Sequence, residues 1–589
     1  DTLTIVHITN PTKYLILPIQ ESCNEGKVKL VTGSPADMAM DVRLAVDSVE
    51  YYVPFALPQG AKEATLTIGR VAADAICWDS IQLADTFNTA NTDYYRPVYH
   101  HTPLYGWMND ANGLVYKDGE YHLYFQYNPY GSKWGNMHWG HSVSKDLIHW
   151  DHLDPAIARD TLGHIFSGST VIDKNNSAGY GKDAMIAFYT SASDEHGQIQ
   201  CMAYSTDNGR TYTKYEKNPI LTPFDGLKDF RDPKVFWYEP AQKWYMIVSA
   251  DKNMRFYSST DLKNWEYLSQ FGEGYGVQPN QFECPDLIQL PVDGDKNKMK
   301  WVMIVNINPG CPFGGSATEY FVGDFDGKEF HCDTDKSVTK WLDFGKDHYA
   351  TVCFSNLGER VVAVPWMSNW QYANVTPIHQ YRGANALPRE LSLYTKDGEI
   401  YMAANAVKET EGLRKGTTDV NDFVMTDEHL VSPLATGQEG ACELEMDITP
   451  NKAQTVGFQL MNDKGEKTDI YLDLKAGRLV MDRTQSGLVA FGEKSEPHAK
   501  ETDDHRKTES VNYVNDFALG TWAPLSLCEG KTYHLNVFVD KCSVEIFVDG
   551  GRIAMTNLVF PTVPYNALRF YTQGGEAEVK NLKVHQLGL

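Results

Sequence analysis

Between Tyr121 and Met367 the chain carries five short apolar runs: YHLYFQY (Tyr121–Tyr127), MIAFYTS (Met185–Ser191), WYMIVSA (Trp244–Ala250), WVMIVNI (Trp301–Ile307) and VVAVPWM (Val361–Met367). Their starts recur roughly every 60 residues. Short runs rich in Val, Ile, Tyr, Phe and Trp, bounded by Asp, Gly, Lys and Asn, read as strands rather than helices. A second pattern keeps the same step: SKDLIHW from Ser144, STDNGRTY from Ser205 and STDLKNW from Ser259 each place a polar turn before an aromatic that opens another strand. A unit of three or four strands cannot bury both of its faces. Five of them are therefore expected to stack radially as a five-bladed β-propeller over residues 96–385, a closed ring that hides its strand edges. The repeat exceeds the roughly 40–50 residues of a compact blade, so the surplus is expected in loops on the faces of the ring, where function concentrates.

Outward from this region, alternation of apolar and polar residues marks further strands on both sides. ATLTIG from Ala64 and AICWDSIQL from Ala75 predict a small N-terminal β-rich domain over residues 1–95. ELEMDIT, TDIYLDLKAGRLVMD, TYHLNVFVDKCSVEIFVDGG and ALRFYTQGG, with turns at Lys475–Gly477 and Asp549–Gly551, predict a C-terminal β-sandwich over residues 386–589. The polar tract that starts at Glu493 lacks the apolar content of a strand and reads as an exposed loop. The expectation is thus an all-β chain of three domains, in keeping with a length of 589 residues, too great for a single core.

A formal net charge of -24 opposes binding to nucleic acid or to anionic lipid and leaves neutral ligands as the better fit. Aromatic residues make up 12% of the chain, and their faces suit sugars. No stretch approaches the roughly 20 apolar residues that span a bilayer, so no transmembrane segment is expected. Ten cysteines lie far apart without a CxxC pair, which favours buried small hydrophobes over a metal site or a disulfide framework. The histidines of HHTP (from His100) and HWGH (from His138) lack a convincing third ligand and read as structural hydrogen-bonding groups.

Three acids stand just ahead of the apolar runs: Asp110 in GWMNDANGL, Asp232 in DFRDPKVF and Glu283 in QFECPDL. Each lies where the innermost strand of a blade is expected, and inner strands line the axis, so acids more than a hundred residues apart can converge at one mouth. Cleaving an acetal needs a proton for the departing oxygen and negative charge beside an oxocarbenium-like carbon, tasks for carboxyl groups in different environments. Glu283 precedes the apolar Cys284 and Pro285, and desolvation beside another acid would keep a proton on it, as an acid/base requires. Asp110 is flanked by Asn109 and Asn112, whose amides would hold it ionised as a nucleophile. Asp232 follows Arg231, a counter-charge expected to favour its anion and to leave it to hold substrate hydroxyls. Taken one at a time, the same acids also suit turn caps.

WMNDANGL, FRDP (Phe230–Pro233) and EC (Glu283–Cys284) resemble glycoside hydrolase family 32, the invertase, inulinase and levanase family. FQYNP from Phe125, WGNMHWGHSVSKDLIHW from Trp134, FSGS from Phe166, LDFGKDHYA from Leu342 and the C-terminal VEIFVDGG extend the resemblance over roughly residues 98–589. The resemblance implies a five-bladed propeller joined to a β-sandwich, and retaining hydrolysis of β-fructofuranosyl bonds with no metal or organic cofactor. It also implies Asp110 as nucleophile, Glu283 as general acid/base and Asp232 as transition-state stabiliser. Asn109, Gln126, Trp134, Phe166, Ser167 and Arg231 match positions that line the fructosyl pocket. Trp366, in the fifth run, either stacks on a sugar near the mouth or closes the fifth blade against the first.

The reading that follows is a bacterial-type fructan hydrolase acting on levan, inulin or their oligosaccharides, with sucrose as a secondary substrate and terminal fructose released. An endo-levanase or endo-inulinase, a fructosyltransferase using the same covalent intermediate, and an inactive carbohydrate-binding propeller are the competing readings. Neither an export signal nor a lipid anchor is visible in the sequence. The resemblance nevertheless implies an exported protein, periplasmic, cell-surface or extracellular.

Overall fold

The computed structural model describes residues 3–34, 37–90, 93–431, 434, 438–491 and 517–589. The polar tract from Glu493 lies outside the described residues. The chain is all-β, with helix limited to isolated turns among the described residues.

Each of the five apolar runs falls in the second strand of an antiparallel group of strands, called a sheet below, although the fourth and fifth groups are joined into one eight-stranded sheet by a parallel pair, Val292↔Leu393. The inner strands of these sheets are Gly106–Lys117, His164–Asp173, Phe230–Tyr238, Phe282–Val292 and Tyr349–Cys353. Each packs on the next, and the fifth packs on the first. Backbone bonds join that last pair, Tyr116 N to Ser355 O (3.0 Å) and Ser355 N to Leu114 O (2.9 Å). The third, fourth and fifth inner strands are also linked by Lys234, whose Nζ donates to Cys353 O (2.8 Å) and lies 3.4 Å from Asp286.

The recurring polar turn has one mechanism at Ser144 and Ser259, whereas at Ser205 the serine accepts one residue later, from Gly209 N (2.9 Å), and Asp207 accepts from Thr211 N (2.9 Å). Ser144 Oγ accepts from Leu147 N (2.9 Å) and Ser259 Oγ from Leu262 N (2.9 Å), while Asp146 and Asp261 accept from the two backbone amides that follow. These side chains stand in for the strand ladder where the chain reverses. The third residue after each serine, Leu147, Asn208 or Leu262, has positive φ (72°, 57° and 66°). The two leucines accept that strain while fully buried, and burying such a side chain is worth about 1.5–3 kcal/mol.

The boundary expected between residues 385 and 386 falls inside the fifth sheet. Arg389–Lys396 pairs with Val362–Trp366 (Val362↔Glu390, Ala363↔Arg389), and Glu399–Ala406 pairs with Arg389–Lys396. The third strand of that sheet is separated from the second by an insertion, which hides its place in the repeat.

Beyond it, two sheets of seven and six strands enclose a common core that includes Leu444, Phe458, Ile470, Val537, Ile546 and Phe570. Buried ion pairs fasten them to the five-sheet region. Arg389 reaches Asp343 (2.6 Å) and Glu545 (2.8 Å), Arg483 reaches Asp347 (2.7 Å), and His100 bridges Asp540 (2.7 Å) and Glu545. His138 Nδ1 pairs with Asn136 O (2.5 Å), and His141 Nε2 pairs with His122 Nδ1 (3.0 Å).

The N-terminal residues form a four-stranded and a three-stranded sheet around their own core of Leu17, Val28, Val53, Leu66 and Ile68. AICWDSIQL is not one alternating strand: Cys77–Ser80 is a helical turn and only Gln82–Ala84 is strand. The turn buries Cys77 in this core. All ten cysteines are free, eight of them buried, and no helix among the described residues is long and apolar enough to cross a membrane.

Candidate active site

Every inner strand breaks register at the same level. The shifts fall between Met108 and Ala111, Ile165 and Gly168, Arg231 and Lys234, Glu283 and Asp286, and Tyr349 and Val352. A bulge leaves residues out of the ladder and re-aims their side chains. Asn109, Asp110, Phe166, Ser167, Asp232 and Cys284 all lie within these bulges, and Glu283 stands at the edge of its own. Asp232 and Cys284 have positive φ (67° and 43°). Each is followed by a proline, a residue that within sheets belongs at edges or bulges because it donates nothing to the ladder. The Asp-Pro and Cys-Pro pairs were thus a sequence signal for the bulges.

The bulges bring Asp110 and Asp232 together, with Glu283 near enough for its charge to raise both. Carboxylate oxygens of Asp110 and Asp232 and the Cys284 sulfur lie within 4.8 Å of one another. Ser167 Oγ donates to Asp110 Oδ2 (2.6 Å), and Asn109 Nδ2 donates to Asp110 Oδ1 (3.1 Å), while Asn109 Oδ1 accepts from Trp107 Nε1 (2.8 Å). Asn112 acts one step removed. Its amide donates to Ser167 Oγ (2.9 Å) and accepts from Gln126 Nε2 (2.9 Å), so Gln126, Asn112, Ser167 and Asp110 form one relay. Gly113 lets this strand pass beneath its neighbours: at φ 55° an added Cβ would stand 2.6 Å from Thr170 Oγ1 and 2.8 Å from the Trp139 ring.

Asp232 accepts from Cys284 N (2.9 Å), and its own amide donates to Thr190 Oγ1 (3.0 Å). Glu283 is held at both oxygens: Tyr349 Oη donates to Oε1, and Arg231 Nη2 donates to Oε2 (3.1 Å). Arg231 also reaches Asp229 (2.9 Å) and Gln198 (3.1 Å). The guanidinium therefore bonds Glu283 and Asp229, while its sequence neighbour Asp232 feels it only through space.

That arrangement alters the expected charge states. Burial pushes the Asp232 carboxyl up to about 7; Arg231 opposes this, while Asp110 and Glu283 add to it. Asp110 is also raised, by burial and by Glu283, against the hydrogen bonds from Ser167, Asn109 and Cys284. One arginine cannot neutralise three clustered acids, so the site retains a proton near neutrality. Burial, with the three acids around it, raises the Cys284 thiol well above its ordinary value. It stays protonated and donates to Asp110 Oδ2 (3.3 Å), in preference to serving as a thiolate ligand.

Trp134 and Phe166 form a partly exposed wall beside the acids. The Trp134 ring stacks on His164 (5.7 Å between centroids) and meets Phe166 edge-on (6.1 Å). Trp366 is not part of it. Its side chain is 0% exposed, packed against Trp370 (5.0 Å), Trp107 (6.1 Å) and Tyr349 (6.4 Å), and its indole N–H has no hydrogen-bond partner. It closes the fifth sheet against the first and offers no face to a sugar. The residues that sequence reasoning missed are Tyr349, Thr190, Gln198 and Asp229. Tyr349 lies in LDFGKDHYA, Asp229 opens DFRDPKVF and Thr190 lies in MIAFYTS, so these three stood within stretches already singled out, whereas Gln198 did not.

Residues 100–404 match the description "Glycosyl hydrolases family 32 N-terminal domain", residues 409–586 match "Glycosyl hydrolases family 32 C terminal", and residues 1–99 match a "Domain of unknown function". The chain is 41% identical to a levanase of Bacillus subtilis over 519 residues, covering 86% of this chain and 73% of the levanase. It is 34% identical to the extracellular exo-inulinase of Aspergillus niger over 532 residues, covering 84% and 94%. Among solved structures, the exo-inulinase of Aspergillus awamori superposes with a TM-score of 0.75 at 32% identity, over 85% of this chain and 99% of that one.

Proposed function

This chain belongs to glycoside hydrolase family 32, and from that premise we propose that it is a retaining, exo-acting β-fructosidase. Its substrates are levan- or inulin-type fructans and shorter fructosides such as sucrose. The observation that carries this reading is the convergence of Asp110, Asp232 and Glu283 on three bulged inner strands, with Glu283 clamped between Tyr349 and Arg231. The five sheets are read as the blades of a closed propeller, followed by a β-sandwich. The contact of the fifth inner strand with the first and the backbone bonds at Ser355 support that closure.

In the first displacement, an Asp110 oxygen bonds to the anomeric carbon C2 while the C2–O bond to the leaving sugar breaks. Glu283 gives its proton to the departing oxygen. In the second, water attacks C2, Glu283 takes its proton, and the Asp110 carboxylate departs with its electron pair. Two inversions leave the configuration retained. Positive charge at C2 and the ring oxygen is greatest in the transition state, so fixed anions favour that state over neutral substrate. Asp232 holds fructose hydroxyls and supplies its anion once the pH exceeds its raised value of about 7. Asn109, Gln126, Ser167 and Arg231 set the acids and bind hydroxyls, and Trp134 and Phe166 wall the sugar.

The relatives are bacterial and fungal alike, so the family alone does not favour a bacterial origin. Relatives described as extracellular support an exported location. The experiment is fructose release from levan, inulin and sucrose by the wild type and by Asp110→Asn, with methanol added as competing acceptor. Methyl β-fructofuranoside from the wild type, and no product from the variant, are expected. An inverted methyl glycoside or undiminished turnover by the variant would overturn the mechanism.

A further inference from the structure

The N-terminal residues meet the sugar pocket at one loop. Residues 129–137 connect two strands of the first sheet and carry Trp134. The N-terminal sheets hold this loop two residues before Trp134 and two residues after it. On the near side, Ser132 N donates to Tyr51 Oη (2.9 Å), and Ser132 Oγ lies within hydrogen-bond distance of Glu21 Oε1 (2.5 Å) and Tyr51 Oη (3.0 Å). Glu21 is in turn paired with Arg382 (2.8 Å), which also donates to Ser132 O (3.1 Å). On the far side, Asn136 exchanges two bonds with the Asp41 backbone, Asp41 N to Oδ1 (2.8 Å) and Nδ2 to Asp41 O (2.7 Å). Arg159 spans both residues, at 2.9 Å from Asp41 and 2.7 Å from Asn136. Tyr130 adds an apolar contact, its ring 5.4 Å from Phe55.

Ser132, Asn136 and Arg382 are buried, so these bonds are shielded from water and fix the loop more firmly than surface contacts would. Trp134 itself is only partly buried; its amide donates to Asn374 Oδ1 (3.0 Å), and the backbone on either side of it is held by the contacts above. A misplaced pocket wall weakens sugar binding even when the acids are untouched.

We propose that the N-terminal unit sets the position of Trp134 by pinning both ends of its loop, and that Glu21 and Tyr51 are positioning residues of the sugar pocket. This rests on the fructosidase reading of that pocket. It gives the domain of unknown function a task in substrate recognition at the first sugar, without contact between its own side chains and the substrate.

The test compares wild type, Tyr51→Phe, Glu21→Gln, Trp134→Ala and Tyr51→Phe in the Trp134→Ala background, with sucrose as the probe. Tyr51→Phe and Glu21→Gln are each expected to raise KM roughly threefold or more while kcat stays within about twofold. Tyr51→Phe should change little once Trp134 is gone, because coupled positions are not additive. Hydrogen exchange of residues 129–137 should quicken in both single variants, with exchange in the acid-bearing strands unchanged. An equal effect of Tyr51→Phe with and without Trp134, or unaltered exchange in the loop, would overturn the proposal. Absence of fructoside turnover in the wild type would instead count against the fructosidase reading, leaving the exchange measurement to decide the role of the loop contacts.

Discussion

The phenol of Tyr349 donates its hydrogen bond to Oε1 of Glu283, and the bond crosses from the fifth inner strand to the fourth. With Arg231 on the other oxygen, it fixes the plane of the carboxyl that, in the proposed mechanism, passes a proton to the leaving group.

Tyr349→Phe keeps the ring and removes that donor. Loss of one hydrogen bond to a charged group costs about 1.5–3 kcal/mol, so kcat/KM should fall roughly tenfold to a hundredfold. Steady-state kinetics on sucrose check this, and an unchanged kcat/KM would mean that Arg231 alone orients Glu283.

Glu283→Gln removes the proton that a poor leaving group needs. General acid catalysis contributes about 10²–10⁴, so kcat on sucrose should drop within that range, whereas an aryl fructoside with an acidic phenol should lose far less in its first step. Equal losses on both substrates would assign Glu283 another role.

Asp232 is held up to about 7 by burial and by its neighbouring acids. Between the ordinary carboxylate range and that value the folded state binds the proton more tightly than the unfolded chain, so this group makes the fold less stable as pH rises through the window. Asp232→Asn should therefore raise the melting temperature at pH 8, leave it nearly unchanged at pH 3.5, and abolish turnover. Thermal unfolding at the two pH values measures this, and a destabilised variant at pH 8 would contradict it.

His100 presents the opposite sign. Burial alone would lower it, but Glu545 and Asp540 outweigh burial and push it up to about 9. Its stabilising charge is present in full below about 6.5 and is lost as pH rises toward 9. His100→Gln should thus lower the melting temperature more at pH 6 than at pH 9.5, and the same loss at both would refute the charged pair.

Arg389→Met strips the counter-charge from two buried acids, Asp343 and Glu545, at the junction with the C-terminal sheets. Removing one partner of such a group costs about 3–5 kcal/mol. Denaturant unfolding should show that loss, and a change below about 1 kcal/mol would mean that water or a rearranged neighbour takes over the charge.

Much of the site was legible because strand periodicity and residue chemistry are local. The five apolar runs, the serine-led turns and the three acids ahead of the runs could all be read along the chain, and each run does lie in the second strand of its sheet. The fifth sheet was harder to read. Its third strand, Arg389–Lys396, follows an insertion, and only pairing with Val362 and Ala363 identifies it.

What the chain determined by itself is which residues form strands and which carry acid, because alternation and composition act over a few residues. What only the tertiary structure decided is aim. A bulge shifts a side chain by one position in a pattern whose period is two, and that single step re-aims Asp232 while Arg231, still paired with Ser249, reaches Glu283 on the next inner strand. The same holds for Trp366, an aromatic whose sequence context suits a sugar platform equally well. The rings of Trp107, Trp370 and Tyr349 close over it, and that enclosure exists only once the fifth sheet meets the first.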